Sequence, residues 1–227
     1  MANLKLIDGS IIDLNLNSED LQNHFNDRRN CTLEILHQFN DLNYYNQFIS
    51  KEDKIILDLG ANIGLFSIHV SPYAEKIIAL EPTPAHFKLL TELTSSFKNI
   101  TPINLALSNK SGTERFYTCE GNTTMNSLIN RNGNFFDTQS ISLKDLIEKI
   151  NINKIDFIKI DIEGSEFIAL DEESINYISD KVNKIFMEVH DIDGSGFDRH
   201  RAKFTELFKK NNFTVDYFGP DVLFAHK

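Results

Sequence analysis

The chain has 227 residues, which is enough to bury one substantial core, and 41% of them are hydrophobic while 25% are charged. Its formal net charge of -10 disfavours a nucleic-acid partner, because proteins that bind phosphates gather Lys and Arg on one face. The sequence opens with no export signal and contains no apolar run long enough to cross a bilayer, so we expect a cytoplasmic protein without a membrane span.

The first fifty residues differ in pattern from the rest and predict an N-terminal extension, residues 1–50, ahead of a main domain, residues 51–227. Residues 4–16 alternate enough for a β-hairpin around Asp8-Gly9, and residues 33–49 have helical spacing. We expect this extension to form a cap or lid, and a homodimer through it is possible.

Beyond residue 50 the sequence alternates between strands and helices. Short apolar runs predict strands at residues 55–59, 77–80, 101–105, 157–160 and 185–189, separated mostly by helical segments. Thr83 with Pro84, and Ser142 with Asp145, are typical of helix starts. Residues 197–210 predict an amphipathic helix, and residues 213–218 and 221–225 predict two closing strands. This order indicates a doubly wound, mostly parallel α/β sheet.

A glycine turn follows the first strand of the predicted sheet, in the run Asp58-Leu-Gly-Ala-Asn-Ile-Gly64. Such a turn lets the backbone approach a ligand, and the helix start beyond it offers free N–H groups to a polar or anionic group. Glu81 ends the second strand about 20 residues later, the usual interval for a carboxylate that binds ribose hydroxyls. Asn62 and Leu65 replace glycines of the dinucleotide pattern, which disfavours NAD or FAD, although a nucleotide-dependent oxidoreductase stays an alternative.

Polar side chains also follow the remaining central strands, where open α/β sheets bind their ligands. Asn104 and Ala106 follow the third strand; they are equally consistent with flanking an adenine and with a loop amide that caps a strand. The fourth strand leads into Lys159-Ile-Asp-Ile-Glu-Gly-Ser-Glu166, which holds three carboxylates in six residues. Glu188 and His190 share one side of the fifth strand, because side chains of a strand alternate between its faces.

Five motifs occur in an order and spacing that resemble the FkbM family of class I S-adenosylmethionine-dependent methyltransferases: Asp58-Leu-Gly-Ala-Asn-Ile-Gly64, Leu80-Glu-Pro82, Asn104-Leu-Ala-Leu107, Lys159-Ile-Asp-Ile-Glu-Gly-Ser-Glu166 and Glu188-Val-His190. The resemblance covers residues 50–190. It implies a Rossmann-like seven-stranded sheet with an antiparallel C-terminal hairpin.

The resemblance also implies a reaction and a cofactor site. A methyl group would pass from S-adenosylmethionine to a hydroxyl of a sugar, glycan or secondary metabolite, leaving S-adenosylhomocysteine, and the sequence does not name the acceptor. The residues expected to bind the cofactor are Asp58, Gly60, Ala61, Asn62, Gly64, Glu81, Pro82, Asn104, Ala106 and Asp161.

An alcohol is a poor nucleophile while protonated, so a general base would assist the reaction. His190 is the leading candidate, with Glu188 as a neighbour that would raise its pKa. Asp161 would hold the cofactor's amino group or orient the acceptor, and Glu163 is the second choice for that role. In an alternative, Asp161, Glu188 and His190 would bind Mg²⁺ or Mn²⁺, which we do not favour. A cofactor-binding regulator without turnover is a further alternative.

Overall fold

The computed structural model describes residues 2–27, 32–119, 125–130 and 133–227. Along the chain its elements are β1 (Ala2–Lys5), β2 (Ile11–Leu14), α1 (Glu19–Asn26), α2 (Thr32–Asn40), a 3-10 helix (Tyr44–Gln47), β3 (Ile55–Leu59), α3 (Leu65–Val70), β4 (Lys76–Leu80), α4 (Pro84–Thr94), β5 (Ile100–Ile103), β6 (Ala106–Ser108), β7 (Gly112–Tyr117), β8 (Phe135–Ser142), α5 (Leu143–Ile150), β9 (Ile155–Ile160), α6 (Glu166–Ala169), α7 (Glu172–Ile178), β10 (Val182–Glu188), α8 (Phe197–Lys210), β11 (Thr214–Phe218) and β12 (Val222–His226).

The main sheet has seven strands in the order β11-β12-β10-β9-β3-β4-β5. The five strands from β10 to β5 are parallel, whereas β12 runs antiparallel to both β10 and β11. The predicted mostly parallel sheet with an antiparallel C-terminal hairpin is therefore confirmed. Each of the five predicted parallel strands is present within a few residues of its predicted position.

The central strands are mostly apolar because helices cover both faces of the sheet. Alternate residues point to opposite sides, so Ile56 and Phe157 belong to one apolar cluster while Leu57 and Ile158 belong to the other. The first cluster also contains side chains of the N-terminal elements, α3 and α4. The second contains those of α5, α7 and α8. At about 1.5–3 kcal/mol for each fully buried large apolar side chain, these two layers stabilise the fold.

The N-terminal segment contains the predicted hairpin, in which β1 and β2 pair antiparallel across the Asp8-Gly9 turn. The single helix predicted over residues 33–49 is replaced by two shorter helices. Helix α2 ends at Asn40, and Asn43 then adopts a left-handed conformation, with φ of 47°, before the 3-10 helix begins. Helix α1, capped by the Ser18 side chain, is an additional element that the sequence pattern did not reveal.

A second, three-stranded sheet also lies outside the prediction. Its order is β6-β8-β7, and its own apolar cluster contains Ala106, Phe116 and Leu128. Strand β8 runs directly into α5, where the Ser142 hydroxyl accepts a hydrogen bond from the Asp145 N–H at 3.0 Å, as predicted for a helix start. Among the described residues, no helix combines the length and the apolar character needed to cross a membrane.

Candidate active site

The carboxyl ends of the central strands surround a cavity of about 240 Å³. The cavity lies at the point where the strand order reverses, because β4 and β5 are on one side of β3 while β9 and β10 are on the other. Of the thirteen candidate site residues singled out from the sequence, nine line this cavity: Gly60, Ala61, Asn62, Glu81, Pro82, Ala106, Asp161, Glu163 and Glu188.

The glycine turn after β3 is pressed against the loop after β9. Gly60 has φ of +87°, and a Cβ atom on it would lie 1.8 Å from the Asp161 carbonyl oxygen. Gly64 has φ of +91°, and a Cβ atom there would lie 2.5 Å from the side chain of Leu90 in α4. Both positions therefore require glycine, for backbone conformation and for space. Gly64 shapes the turn without lining the cavity.

Glu81 is held by the backbone around it. Its carboxylate accepts hydrogen bonds from the N–H of Asn62 at 3.0 Å and the N–H of Thr83 at 2.8 Å, and the side chain is buried. Burial raises the pKa of Glu81 to about 7. Asn104 lies behind this loop, where its amide donates to the carbonyl oxygens of Glu81 and Pro82. Of the two interpretations of Asn104, these contacts favour the loop-holding one, while Ala106 lines the cavity.

A buried lysine that we had not singled out links the loops of β3 and β9. The Lys159 ammonium lies 3.1 Å from Asp161 Oδ2, 3.2 Å from the Gly60 carbonyl oxygen and 3.7 Å from Asp58 Oδ1. Burial alone would lower the pKa of Lys159, but Asp161 and Asp58 raise it, so the lysine is charged. The sequence signal that could have identified Lys159 is its position within a mostly apolar strand.

Asp58 lies behind the cavity wall and does not line it. It is fully buried, and its Oδ2 accepts a hydrogen bond from the Ser67 hydroxyl at 2.6 Å. Burial raises the pKa of Asp58, and Lys159 opposes that change. Any influence of Asp58 on a ligand would therefore pass through Lys159.

Three carboxylates surround His190. Its Nδ1 lies 3.2 Å from Glu166 Oε1, and its Nε2 lies 3.4 Å from Glu163 Oε2 and 3.9 Å from Asp161 Oδ1. Burial alone would lower the pKa of His190, but these carboxylates raise it to about 10. These contacts favour the protonated ring in the ligand-free protein. The neighbours that raise the pKa of His190 most are Glu166, Asp161 and Glu163, and Glu188, the neighbour we expected, also interacts with the ring, since His190 lowers the pKa of Glu188.

Glu188 ends β10 and faces the cavity. Within the described part of the chain its carboxylate accepts no hydrogen bond, unlike the carboxylates of Glu81 and Glu166. The negative charge of Asp161 and burial raise the pKa of Glu188 to about 8. This is the least compensated acid at the cavity.

The alternative metal site is not assembled in the predicted form. Asp161, Glu163 and His190 offer ligand atoms within 4.8 Å of one another, and Glu188 does not belong to that group. The ion pairs of the protonated His190 ring already account for the close approach of these carboxylates.

Residues of the N-terminal segment also line the cavity. They come from α2 and the 3-10 helix and include Ile35, Gln38, Phe39 and Tyr45. Phe39 stacks on Tyr45 with ring centroids 5.4 Å apart, and its ring is tilted against that of His69 at a centroid distance of 4.8 Å. The sequence predicted a cap here but gave no means of choosing individual residues.

Comparison with known proteins supplies independent information. A family model described as the methyltransferase FkbM domain matches residues 58–214. The 31-O-demethyl-FK506 methyltransferase FkbM of Streptomyces tacrolimicus is 25% identical over 206 residues, covering 75% of this chain and 76% of that protein. The hexuronic acid methyltransferase AglP of Haloferax volcanii is 28% identical over 142 residues, covering 62% of this chain and 58% of AglP.

Among solved structures, a methyltransferase FkbM from Methylobacillus flagellatus KT is similar to this chain with a TM-score of 0.50 at 15% identity, over 81% of this chain and 46% of that one. This similarity supports the fold. The chain thus spans less than two thirds of the length of AglP and of the solved FkbM structure.

Proposed function

This chain belongs to the methyltransferase FkbM domain family, and on that premise we propose that it transfers a methyl group from S-adenosylmethionine to a hydroxyl oxygen of a sugar, glycan or secondary metabolite. The observation that carries the proposal is the pairing of the Gly60–Gly64 turn with the buried carboxylate of Glu81 across one cavity.

The residues at the cavity fit the cofactor. The Glu81 carboxylate accepts a hydrogen bond from the Thr83 side chain as well as the two N–H groups. Since a carboxylate has about four acceptor positions, one remains for a ribose hydroxyl. Asn62 Oδ1 is buried and has no hydrogen-bond partner among the described residues, so it can accept a donor from a ligand. Asp161, Glu163 and Glu188 offer negative charge to the cationic sulfur and the amino group. Glu81, Asn62 and Asp161 are therefore the residues we assign to cofactor binding.

An oxygen acceptor has support from the two similar proteins. One is named for a hexuronic acid and the other for 31-O-demethyl-FK506, in which the position named is an oxygen. A glycan or metabolite hydroxyl is thus the acceptor class we propose.

The cofactor supplies an activated methyl group on a cationic sulfur. The protein's part is to align the acceptor and to take up its proton. We expected His190 to be the base, and the three carboxylates around it favour its protonated form. We therefore propose that Glu188, which faces the cavity and whose pKa of about 8 leaves it more readily deprotonated than His190 at about 10, takes the proton, and that His190 positions Asp161 and Glu163.

Calorimetric titration with S-adenosylmethionine and S-adenosylhomocysteine tests the proposal. We expect micromolar binding to the wild type and a loss of at least about tenfold in affinity in Glu81→Ala, the effect of about one charge-assisted hydrogen bond. Glu75→Ala is the matched control, because Glu75 is exposed just before β4, at the opposite end of the strand that Glu81 follows.

Absence of binding by either ligand would overturn the proposal, and titration with nicotinamide and flavin nucleotides would then test the oxidoreductase alternative. Where binding is found, radiolabelled S-adenosylmethionine with hexuronic acid glycosides and hydroxylated metabolites tests transfer, which a regulator without turnover would not perform.

A further inference from the structure

Buried negative charge exceeds buried positive charge at one end of the cavity. The Lys159 ammonium forms ion pairs with Asp161 and Asp58, and the His190 ring forms ion pairs with Glu166, Glu163 and Asp161. Four carboxylates thus share two cations, and Glu188 adds a fifth acid at the same end of the cavity. This end of the cavity therefore has an excess of negative charge, which a cationic ligand can neutralise.

Glu188 is the acid that these cations leave least compensated. Its carboxylate lines the cavity at the end of β10 and accepts no hydrogen bond within the described ranges. Asp161 and burial favour its neutral form, and neither His190 nor Lys159 cancels that effect. The titratable groups that interact with Glu188 from the surrounding elements are Asp161 and Lys159 of β9 and its loop, His190 beyond β10, Asp221 before β12, and Tyr44 and Tyr45 in the 3-10 helix.

We infer that Glu188 makes the cavity select a cationic sulfur, so that the protein binds S-adenosylmethionine more tightly than S-adenosylhomocysteine. The inference rests on the proposed function. The two ligands share their adenosine and amino-acid parts, and they differ only in the methyl group and the charge on sulfur. If the preference for S-adenosylmethionine disappears when the Glu188 carboxylate is removed, that preference depends on the charge on sulfur.

The same residue links this preference to the reaction. Glu188 takes the proton of the acceptor hydroxyl while the oxygen–carbon bond forms and the carbon–sulfur bond breaks, with its electron pair remaining on sulfur. The positive charge on sulfur and the negative charge on Glu188 disappear together. The products leave Glu188 in its neutral form, which its surroundings favour, and the uncharged sulfur compound loses the attraction that held its precursor.

Calorimetry on the full chain tests the inference through binding alone. We expect the wild type to prefer S-adenosylmethionine and Glu188→Gln to lose about tenfold of that preference, the equivalent of one pKa unit of interaction. Glu81→Gln is the matched control, since it makes the same change of charge at the end of the cavity assigned to the ribose. It should weaken both ligands by a similar factor and keep their ratio.

A second measurement needs no variant. Titrations in buffers of different ionisation enthalpy count the protons released on binding. At neutral pH both ligands should release protons from Glu81, and S-adenosylmethionine should release more than S-adenosylhomocysteine because only its charge favours ionised Glu188. Equal affinities for the two ligands, or an unchanged ratio in a folded Glu188→Gln protein, would overturn the inference and leave the proposed function standing. Failure of both ligands to bind would instead overturn the proposed function.

Discussion

At Gly60 the loops after β3 and β9 approach so closely that one methyl group decides whether they fit. A Cβ atom there would lie 1.8 Å from a backbone oxygen, which cannot move without displacing the end of β9. We predict that Gly60→Ala lowers the free energy of unfolding by more than about 3 kcal/mol, because strain in the left-handed region adds to a backbone clash.

Gly9 is the matched control for this prediction. Its φ of +89° is nearly that of Gly60, but nothing lies within 4 Å of the position of its Cβ atom. Gly9→Ala should therefore show the conformational cost alone, about 1 kcal/mol. Urea unfolding of both variants measures the difference, and equal losses would show that the close approach at Gly60 is unimportant.

The chemistry of individual side chains was only partly accessible from the sequence. Strand ends could be located because apolar runs are local patterns, and this placed Asp161, Glu188 and His190 at one edge of the sheet. The pairing among them depends on packing between distant segments. Glu166 reaches His190 because α6 begins beside the end of β10, and nothing in the spacing of the motifs distinguishes this from a pair with Glu188.

At the scale of secondary-structure elements, the N-terminal segment shows why helix prediction failed in one place. Apolar residues continue at helical spacing through the break between α2 and the 3-10 helix, so periodicity gives no warning of it. The break depends on one residue, Asn43, whose left-handed conformation is common for asparagine. Hydrophobic periodicity also failed to reveal the small sheet, because its strand β7 is mostly polar and largely exposed and so has no apolar pattern to detect.

Asn40 fastens α2 to the hairpin. Its Oδ1 accepts a hydrogen bond from the Lys5 N–H at 2.7 Å, and its amide donates to the Asn3 carbonyl oxygen at 2.8 Å. We predict that Asn40→Ala costs about 1–3 kcal/mol because two backbone groups of β1 lose a partner. Because α2 lines the cavity, the affinity for S-adenosylmethionine should fall several-fold as well.

Asn40→Asp separates the two hydrogen bonds, since it keeps the acceptor for Lys5 and removes the donor to Asn3. Its stability should lie between those of wild type and Asn40→Ala. Amide hydrogen exchange at Lys5 and calorimetric titration check the prediction, and unchanged cofactor affinity in Asn40→Ala would show that α2 keeps its position without this contact.

At the scale of the whole molecule, the cavity makes the ligand-free protein sensitive to pH. The pKa values of Glu81 and Glu188 are raised from 4.5 to about 7 and about 8, so the folded state binds more protons than the unfolded state between these values. These two acids make stability fall as pH rises from 4.5 to 8, whereas the lowered pKa values of the buried His24, His69 and His86 make it rise as pH approaches 6.5, so a net fall is expected above that pH. The raised pKa of His190, about 10, adds stability below pH 6.5 that is lost as pH rises through 10.

We therefore predict that the melting temperature of the ligand-free protein decreases from pH 7 to pH 9, and that Glu188→Gln makes this decrease smaller. Thermal unfolding at intervals of pH provides the measurement. A flat profile in the wild type would contradict the raised pKa values. S-adenosylmethionine should restore stability at high pH, because its positive charge favours the ionised form of Glu188.

The order of strands in the sheet also has a consequence for synthesis of the protein. Strand β3 pairs with β9, and the Ile55 N–H donates a hydrogen bond to the carboxylate of Asp156, which lies 101 residues further along the chain. At about 5–20 residues per second on the ribosome, β3 waits roughly 5–20 s for this neighbour to emerge. During that time the N–H and C=O groups along one edge of β3 are open to pairing with other chains. The nascent chain is therefore exposed to aggregation at the stage when its glycine turn has been made but the β9 loop against which that turn packs has not.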